Sequence, residues 1–454
     1  PTLIIINICN IIFYSYTKLK IWFPSLGRKY LKNVFLFIYQ VVYLLGCSRW
    51  AFLEIYGIGG IDGIIASAAG FIEGILTKDL IWMHWVNTIQ RNRRQFFASD
   101  PYWYQVIVTS QNTFLIIIMV MNMLGDLKDL FDIVDEDREA GAGHCSALIK
   151  MLPDGSDVFV AQQTGLSYQS MLRIQKKYVL NYKTLPIDGT PIKGHTMSFS
   201  SYPGVLSSAD NFYITSANLV TQETTIGNSN KVLYQNNSIT GQVIEFVRTM
   251  VANRLAETGK HWTDIYRKYN KSNNLFFNVQ IWYWPSYNIA YFPNIFNMSG
   301  GPELVKKYGD WFTYDKNPRA QIFKRDQGKI RNMDDMYAMM RYNDFMHDPL
   351  SRCDCNPPYS AGNAVAPRND LNKVNGTYPF KALGHRSYGA TDVKITNRLL
   401  ATTFQFLSVS GPTHNASRGV PPFRWSEADF GNTTPHMGHP DLWQFEPLTF
   451  KWEW

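Results

Sequence analysis

An α+β fold, with helices flanking antiparallel strands in layers, is what this chain predicts. Three observations carry that reading. Apolar residues recur at helical spacing through the first third, the pattern changes at Cys145 to short strand-like runs, and one good helix from Gly241 to Thr258 separates the later runs. At 454 residues the chain exceeds what one hydrophobic core usually supports, so two lobes or one large layered sandwich is expected.

Taken in order, the first elements are two apolar stretches, Leu3 to Tyr14 and Val34 to Leu45. The second follows Arg28, Lys29 and Lys32 and ends in Gly46, Cys47 and Ser48, the order of a secretory signal. Both are short for a membrane span, which needs ~20 residues. A removable segment over residues 1–48 is therefore expected in preference to a buried helix or a retained anchor. Ile61 to Leu76 places small residues between apolar ones, as in a helix packed closely on a neighbour, and WMHWVNTIQRNRRQFF continues it. Phe114 to Leu124 runs into the acidic stretch Asp126 to Glu139, which favours a buried helix. Residues 49–144 thus read as mainly helical.

From Cys145 onward, CSALIKML and VFVAQQT flank the Asp-Gly turn signal in PDGSD and predict a β-hairpin. HTMSFSSYPG, NFYITSANLVTQETT and NVQIWYWPSYNIAYF read as further strands, and Asp334 to Arg341 as a helix. Beyond these, Pro- and Gly-rich stretches dominate.

Composition narrows the function classes. With 45% hydrophobic and 18% charged residues this is a folded chain. The net charge of +8 comes from scattered Lys and Arg with no basic block, which excludes a nucleic-acid partner while leaving a surface suited to anionic lipid head groups. Five cysteines are too few for a disulfide scaffold. Cys353 and Cys355 are expected to pair with each other rather than form half of a metal site, because no second pair at zinc spacing accompanies them. His195, His347, His385, His414, His436 and His439 are dispersed. Six N-x-S/T sequons, at Asn236, Asn270, Asn297, Asn375, Asn415 and Asn432, point with the apolar N-terminal stretch to the secretory pathway.

A strand that begins with cysteine suits an N-terminal nucleophile. Cleavage between His144 and Cys145 would leave a thiol and a free α-amine on one residue. With reference pKa values of ~8.5 and ~8, proton transfer between them is nearly thermoneutral. The same thiol would first attack the His144 carbonyl, and Gly141, Ala142 and Gly143 permit the tight backbone that step needs. A lone cysteine at a strand start is more often an inert core residue.

Longer motifs add to this. GHCSALIK at Gly143 to Lys150 looks like the nucleophile motif of the phospholipase B-like family, and YQSMLRIQKKY resembles the segment that follows it. SSYPGVLSSADNFYITSANLVTQETT, SYNIAYFPNIFNMSG, MRYNDFMHDPLSRCDCNPPYSAGNAVAPRNDLN, and SGPTHN with PPFRWS are similar to later blocks of that family. LIWMHWVNTI resembles its helical region upstream of the nucleophile. The resemblance runs from about Arg49 to the C-terminus. It implies an αββα four-layer sandwich of the N-terminal-nucleophile hydrolase type, and self-cleavage into fragments 49–144 and 145–454 that stay associated. It also implies N-glycosylation, a lysosomal or secreted location, and hydrolysis of an acyl ester or amide without a cofactor. The expected partners are a lipid or other acyl substrate, the chain's own fragments, and a second copy of the chain.

The chain departs from the family pattern at two places. Where the family's second strand presents H-x-T-W, this chain has Gln162, Gln163, Thr164 and Gly165. Where the family has Asn-Asn-Gln-Trp, it has Asn278, Val279, Gln280 and Ile281. Thr164, Asn278 and Gln280 are the candidate positioning groups around Cys145, and Gln162 and Gly165 mark the altered pocket. Loss of one oxyanion donor can cost ~100- to 1000-fold in rate, so a retained fold with a lipid-binding, structural or storage role is the alternative expectation.

Overall fold

The computed structural model of the chain describes residues 35–43, 49–58, 61–90, 113–123, 143, 145–230, 232–235, 242–269 and 282–452. In chain order its principal strands are β1 (Phe35–Tyr43), β2 (Trp50–Ile58), β3 (Ser146–Met151), β4 (Val158–Gln163), β5 (Gly165–Ser167), β6 (Arg173–Leu180), β7 (Thr196–Ser201), β8 (Tyr213–Thr215), β9 (Leu219–Thr221), β10 (Tyr283–Ser286), β11 (Tyr388–Ala390), β12 (Asp392–Thr396) and β13 (Leu407–Ser410). The helices that pack on them are α1 (Asp62–Trp85), α2 (Thr113–Asn122), α3 (Glu245–Leu255), α4 (Gly259–Tyr266), α5 (Pro318–Asp326) and α6 (Met333–Met340).

One six-stranded sheet has the order β1-β2-β6-β7-β8-β9. The other has β10-β3-β4-β12-β13 with Leu448–Thr449 at its edge. The expected hairpin forms, with Ser146 opposite Gln163 and Met151 opposite Val158. Gly155 turns the chain at φ +69°, a conformation that favours glycine, and its N–H donates to Leu152 O at 2.9 Å. The predicted helix over 241–258 is α3, shortened at both ends.

Each sheet has an apolar outer cover. On the first, Ile65, Ala68, Ala69 and Ile72 of α1 pack against Leu53, Ile55, Ile174, Tyr178 and Phe199, and the two alanines allow the close approach that the small residues predicted. On the second, Ile322 and Phe323 of α5 and Met336 and Met340 of α6 cover Leu148, Phe159, Val393, Ile395 and Val409.

Strand β6 shows why the layers meet as they do. Side chains alternate between faces along a strand, so Ile174, Lys176 and Tyr178 turn toward α1 while Arg173 and Gln175 turn the other way. Arg173 reaches Asp392 of β12 at 2.9 Å, and Gln175 donates to Ser408 of β13. The first sheet's inner face is therefore hydrogen-bonded to the second sheet.

The first third, read as mainly helical, carries helices α1 and α2 among its described residues together with two strands, β1 and β2, that pair antiparallel. One expectation needs correction. The β2–β6 ladder is parallel, so the larger sheets are not wholly antiparallel. Strand β6 itself, RIQKKYVL, was not anticipated, since its lysines disguise a buried strand. The disguise is chemical: Lys176 Nζ lies 2.5 Å from Glu73 of α1, and Lys177 Nζ lies 2.9 Å from Glu54 of β2. Part of the apolar stretch read as a signal, Phe35–Tyr43, forms the edge strand β1. The Leu3 to Tyr14 stretch lies outside the described residues.

Cys353 and Cys355 are joined as a disulfide. Asn297, Asn375, Asn415 and Asn432 are exposed, and Asn236 and Asn270 lie outside the described residues. Among the described residues no helix is long and apolar enough to cross a membrane.

Candidate active site

Cys145 is a half-buried free thiol one residue before β3. The turn from β4 into β5 brings Gly165 against it, and the Gly165 N–H donates to Sγ at 3.4 Å. Burial pushes the thiol up to about 11, with the Gly165 hydrogen bond opposing and the charges of Glu223 and Asp210 adding to the rise. A thiol so placed is protonated at neutral pH.

Two side chains that the sequence reading did not single out complete the wall. Asn288 follows β10 in the left-handed region, at φ 67°. Its amide lies directly against Gly143, where an added Cβ would sit 3.0 Å from Nδ2. A side chain at Gly143 would press on that amide, so glycine suits the backbone just before Cys145. Arg319, in the first turn of α5, donates to Cys145 O at 2.7 Å, to Asn288 Oδ1 at 3.1 Å and to Tyr287 O at 2.6 Å. Burial lowers its guanidinium to about 10, and no carboxylate hydrogen-bonds it among the described residues. Arg319 is thus a buried cation beside Cys145, held among the described residues by carbonyl groups.

The candidate pocket residues serve mainly to fix Gly165. Thr164 donates its N–H to Asp392 Oδ1 at 2.9 Å and accepts at Oγ1 from Lys394 Nζ at 2.6 Å. Its carbonyl accepts from Thr391 N at 2.8 Å. Lys394 also contacts Asp392 at 2.9 Å and Asp210 at 3.3 Å, and Asp210 is bound by Arg173 and by the Tyr202 hydroxyl at 2.9 Å. This four-charge cluster is fully buried, and the two cations hold Asp210 well below the usual carboxylate range.

Gln162 occupies the wall with its amide N–H groups given to Asp210 O at 2.7 Å and Glu223 O at 2.5 Å. Its Oε1 is buried without a partner among the described residues. Glu223, raised to about 7 by burial and by Glu245, is the titratable group in this segment nearest neutrality. Asn278, Gln280 and His144 lie outside the described residues.

The histidines form no catalytic dyad with Cys145 among the described residues. His436 stacks on Trp425 with ring centroids 4.3 Å apart, and His439 meets Trp443 edge-on at 5.4 Å. Asn288 was within reach of sequence reading, since it sits in the quoted block SYNIAYFPN. Arg319 carried no local signal at all.

Comparison with known proteins supplies the family. The Phospholipase B family profile matches residues 105–282 and 277–450. The chain is 38% identical to phospholipase B-like 2 of Mus musculus, over 89% of this chain and 83% of the relative. It is 37% identical to phospholipase B-like 1 of Caenorhabditis elegans, over 89% and 85%. With phospholipase B-like protein B of Dictyostelium discoideum it shares 30% identity over 88% and 83%. A profile match across most of the sequence, joined to relatives of this identity over nearly nine-tenths of it, means that the chain belongs to the Phospholipase B family.

Proposed function

We propose that this protein is an acyl hydrolase of ester or amide bonds whose nucleophile, Cys145, is exposed by self-cleavage of the His144–Cys145 peptide. The observation that carries the reading is a free thiol at the head of a strand, 3.4 Å from the Gly165 N–H, with Asn288 against the preceding backbone and Arg319 beneath it. In the first step the Cys145 sulfur attacks the carbonyl carbon of residue 144, its proton passes to the departing nitrogen, and the C–N bond breaks to leave a thioester. Water then hydrolyses that thioester, giving a carboxylate and a chain that begins with a free amine. In the second cycle this amine takes the thiol proton, sulfur attacks the substrate acyl carbon, the C–O or C–N bond breaks and the alcohol or amine leaves with that proton, and water then hydrolyses the thioester to release the acid and restore the thiol. The Gly165 N–H and the second proton of Asn288 Nδ2, whose first goes to Thr225 O at 2.8 Å, are the donors for developing negative charge, and the Arg319 cation lies close by.

Several features support the remaining parts of this reading. The sheets and their outer helices suit an αββα order of the N-terminal-nucleophile type. The β2–β6 ladder and the Glu54–Lys177 and Glu73–Lys176 pairs would keep residues 49–144 attached after the cut. Four exposed sequon asparagines suit a glycosylated lysosomal or secreted protein. The family name suggests a lipid acyl substrate.

One observation favours a second reading, a binding or storage protein that has lost turnover. Gln162, at the altered position, is spent on two backbone carbonyls. Cys145→Ala and wild type compared side by side decide between them. Mass spectrometry of the wild type is expected to find a chain starting at Cys145, and both cleavage and acyl release should fall by ~10⁴-fold or more in the variant. Active wild-type protein with an uncut bond would defeat the self-cleavage mechanism, and cleaved protein that no thiol-directed acyl probe labels would favour the second reading.

A further inference from the structure

Residues 223–225 follow β9 outside any strand, and side chains from the second sheet and from the turn after β10 hold them. At one end Gln162 of β4 gives its amide protons to Asp210 O at 2.7 Å and to Glu223 O at 2.5 Å. At the other, Asn288 Nδ2 donates to Thr225 O at 2.8 Å. Between them the buried Thr224 hydroxyl accepts the Asn288 N–H at 3.2 Å and lies 2.6 Å from Ser286 Oγ of β10. Asn288 is therefore gripped twice by consecutive residues, its left-handed backbone by Thr224 and its side chain by Thr225. The same contacts fix which way its amide faces. Oδ1 accepts from Arg319 at 3.1 Å, so half a turn of the amide would set Nδ2 against that guanidinium and Oδ1 against the Thr225 carbonyl, replacing two hydrogen bonds by two repulsions. One Nδ2 proton remains, on the nitrogen that lies against Gly143.

We infer that Thr224 is a positioning residue for the donor Asn288, within a strap of residues 223–225 that Gln162 anchors to β4, an assignment that rests on the acyl-hydrolase reading for its effect on rate. The Thr224 hydroxyl acts through Asn288, because a donor serves developing charge only when it is held at the right place before the reaction begins. Gln162 gains a role by the same route. It stands where the family pattern has a histidine, and its amide protons tie down the strap that carries Asn288, so the altered position supports the donor from behind.

Thr224→Val removes the hydroxyl at nearly unchanged shape, and Thr224→Ser keeps it. With p-nitrophenyl butyrate as the probe, rates are counted per chain that mass spectrometry finds cut before Cys145. Thr224→Val should lower kcat roughly tenfold or more with KM within about twofold, while Thr224→Ser stays within about threefold of wild type. An unchanged kcat in Thr224→Val, or equal losses in both variants, overturns the assignment. Crystal structures of Cys145→Ala protein with and without Thr224→Val read the geometry without turnover. Asn288 Nδ2 should leave hydrogen-bond distance of Thr225 O once the hydroxyl is gone, and an unmoved Asn288 overturns the strap. If Thr224→Val does not fold, Gln162→Met gives the same two readings from the anchor, with a lower kcat and a displaced Asn288 expected and no change in either overturning it. Wild-type protein that hydrolyses no ester defeats the hydrolase reading, whereas the crystal structures still decide the strap, so the two fail separately.

Discussion

Two charged regions lie within a few residues of each other and are built in opposite ways. In the cluster of Arg173, Asp210, Asp392 and Lys394, two cations face two carboxylates, and the charges balance inside the protein. Around Cys145, Arg319 is equally buried, but among the described residues it is satisfied by carbonyl oxygens alone and no carboxylate faces it. A balanced cluster carries no net charge and serves mainly to fix geometry, here the Thr164–Gly165 peptide whose Gly165 N–H points at the thiol. An unbalanced cation is costly to bury, and its position beside a nucleophile is where negative charge would repay that cost.

The contrast can be broken experimentally. Removing one member of the balanced cluster should do the most damage, since it strands a buried charge. Asp392→Ala is expected to lower unfolding stability by about 3–5 kcal/mol in urea titration. A loss under about 1 kcal/mol would mean the cluster does not hold the two sheets together. Arg319→Lys keeps the charge but gives up the fork that joins Cys145 O to Asn288. Acyl-transfer kcat should fall ~100-fold while the melting temperature moves less than in Asp392→Ala. Equal damage to stability would make Arg319 another structural ion.

The smallest effect sharpens the edge of the balanced region. His84 is buried, stacks on Tyr202 at 5.4 Å, and is lowered to about 3 by burial and by the charges of Arg173 and Lys176. Its folded value lies below the unfolded value of ~6.5, so the neutral ring is the native form. That stability is complete above about pH 6.5 and is lost as pH falls toward 3, at ~1.4 kcal/mol per unit. At pH 5 the loss is about 2 kcal/mol, and His84→Gln should remove that part of the acid sensitivity in melts at pH 7 and pH 5. An identical acid response in the variant would take His84 out of the account.

How much of this was legible in the sequence depends on whether the signal was local. The Cys145 hairpin was, because alternation and an Asp-Gly turn are encoded in adjacent residues. Strand β6 was hidden because its buried lysines find their carboxylates 103 and 123 positions away. Strand β2 was missed because its partner is 123 residues on in the parallel ladder, at Arg173 opposite Trp50. Thr164 and Gln162, read from the sequence as groups around the thiol, send their hydrogen bonds to Asp392, Lys394, Asp210 and Glu223, and no spacing rule reports such contacts. Arg319 is 174 residues from the carbonyl it holds.

The β2–β6 ladder has a consequence for the lifetime of the folded molecule. While residues 144 and 145 remain joined, unfolding and refolding are first-order events within one chain. A cut there turns β2 and β6 into strands of different polypeptides, and recovery from denaturant becomes second order in protein concentration. Dilution, which ordinarily favours clean refolding, would then work against it. The uncut chain would fold once, and its cleaved form would persist by slow unfolding rather than by its ability to return.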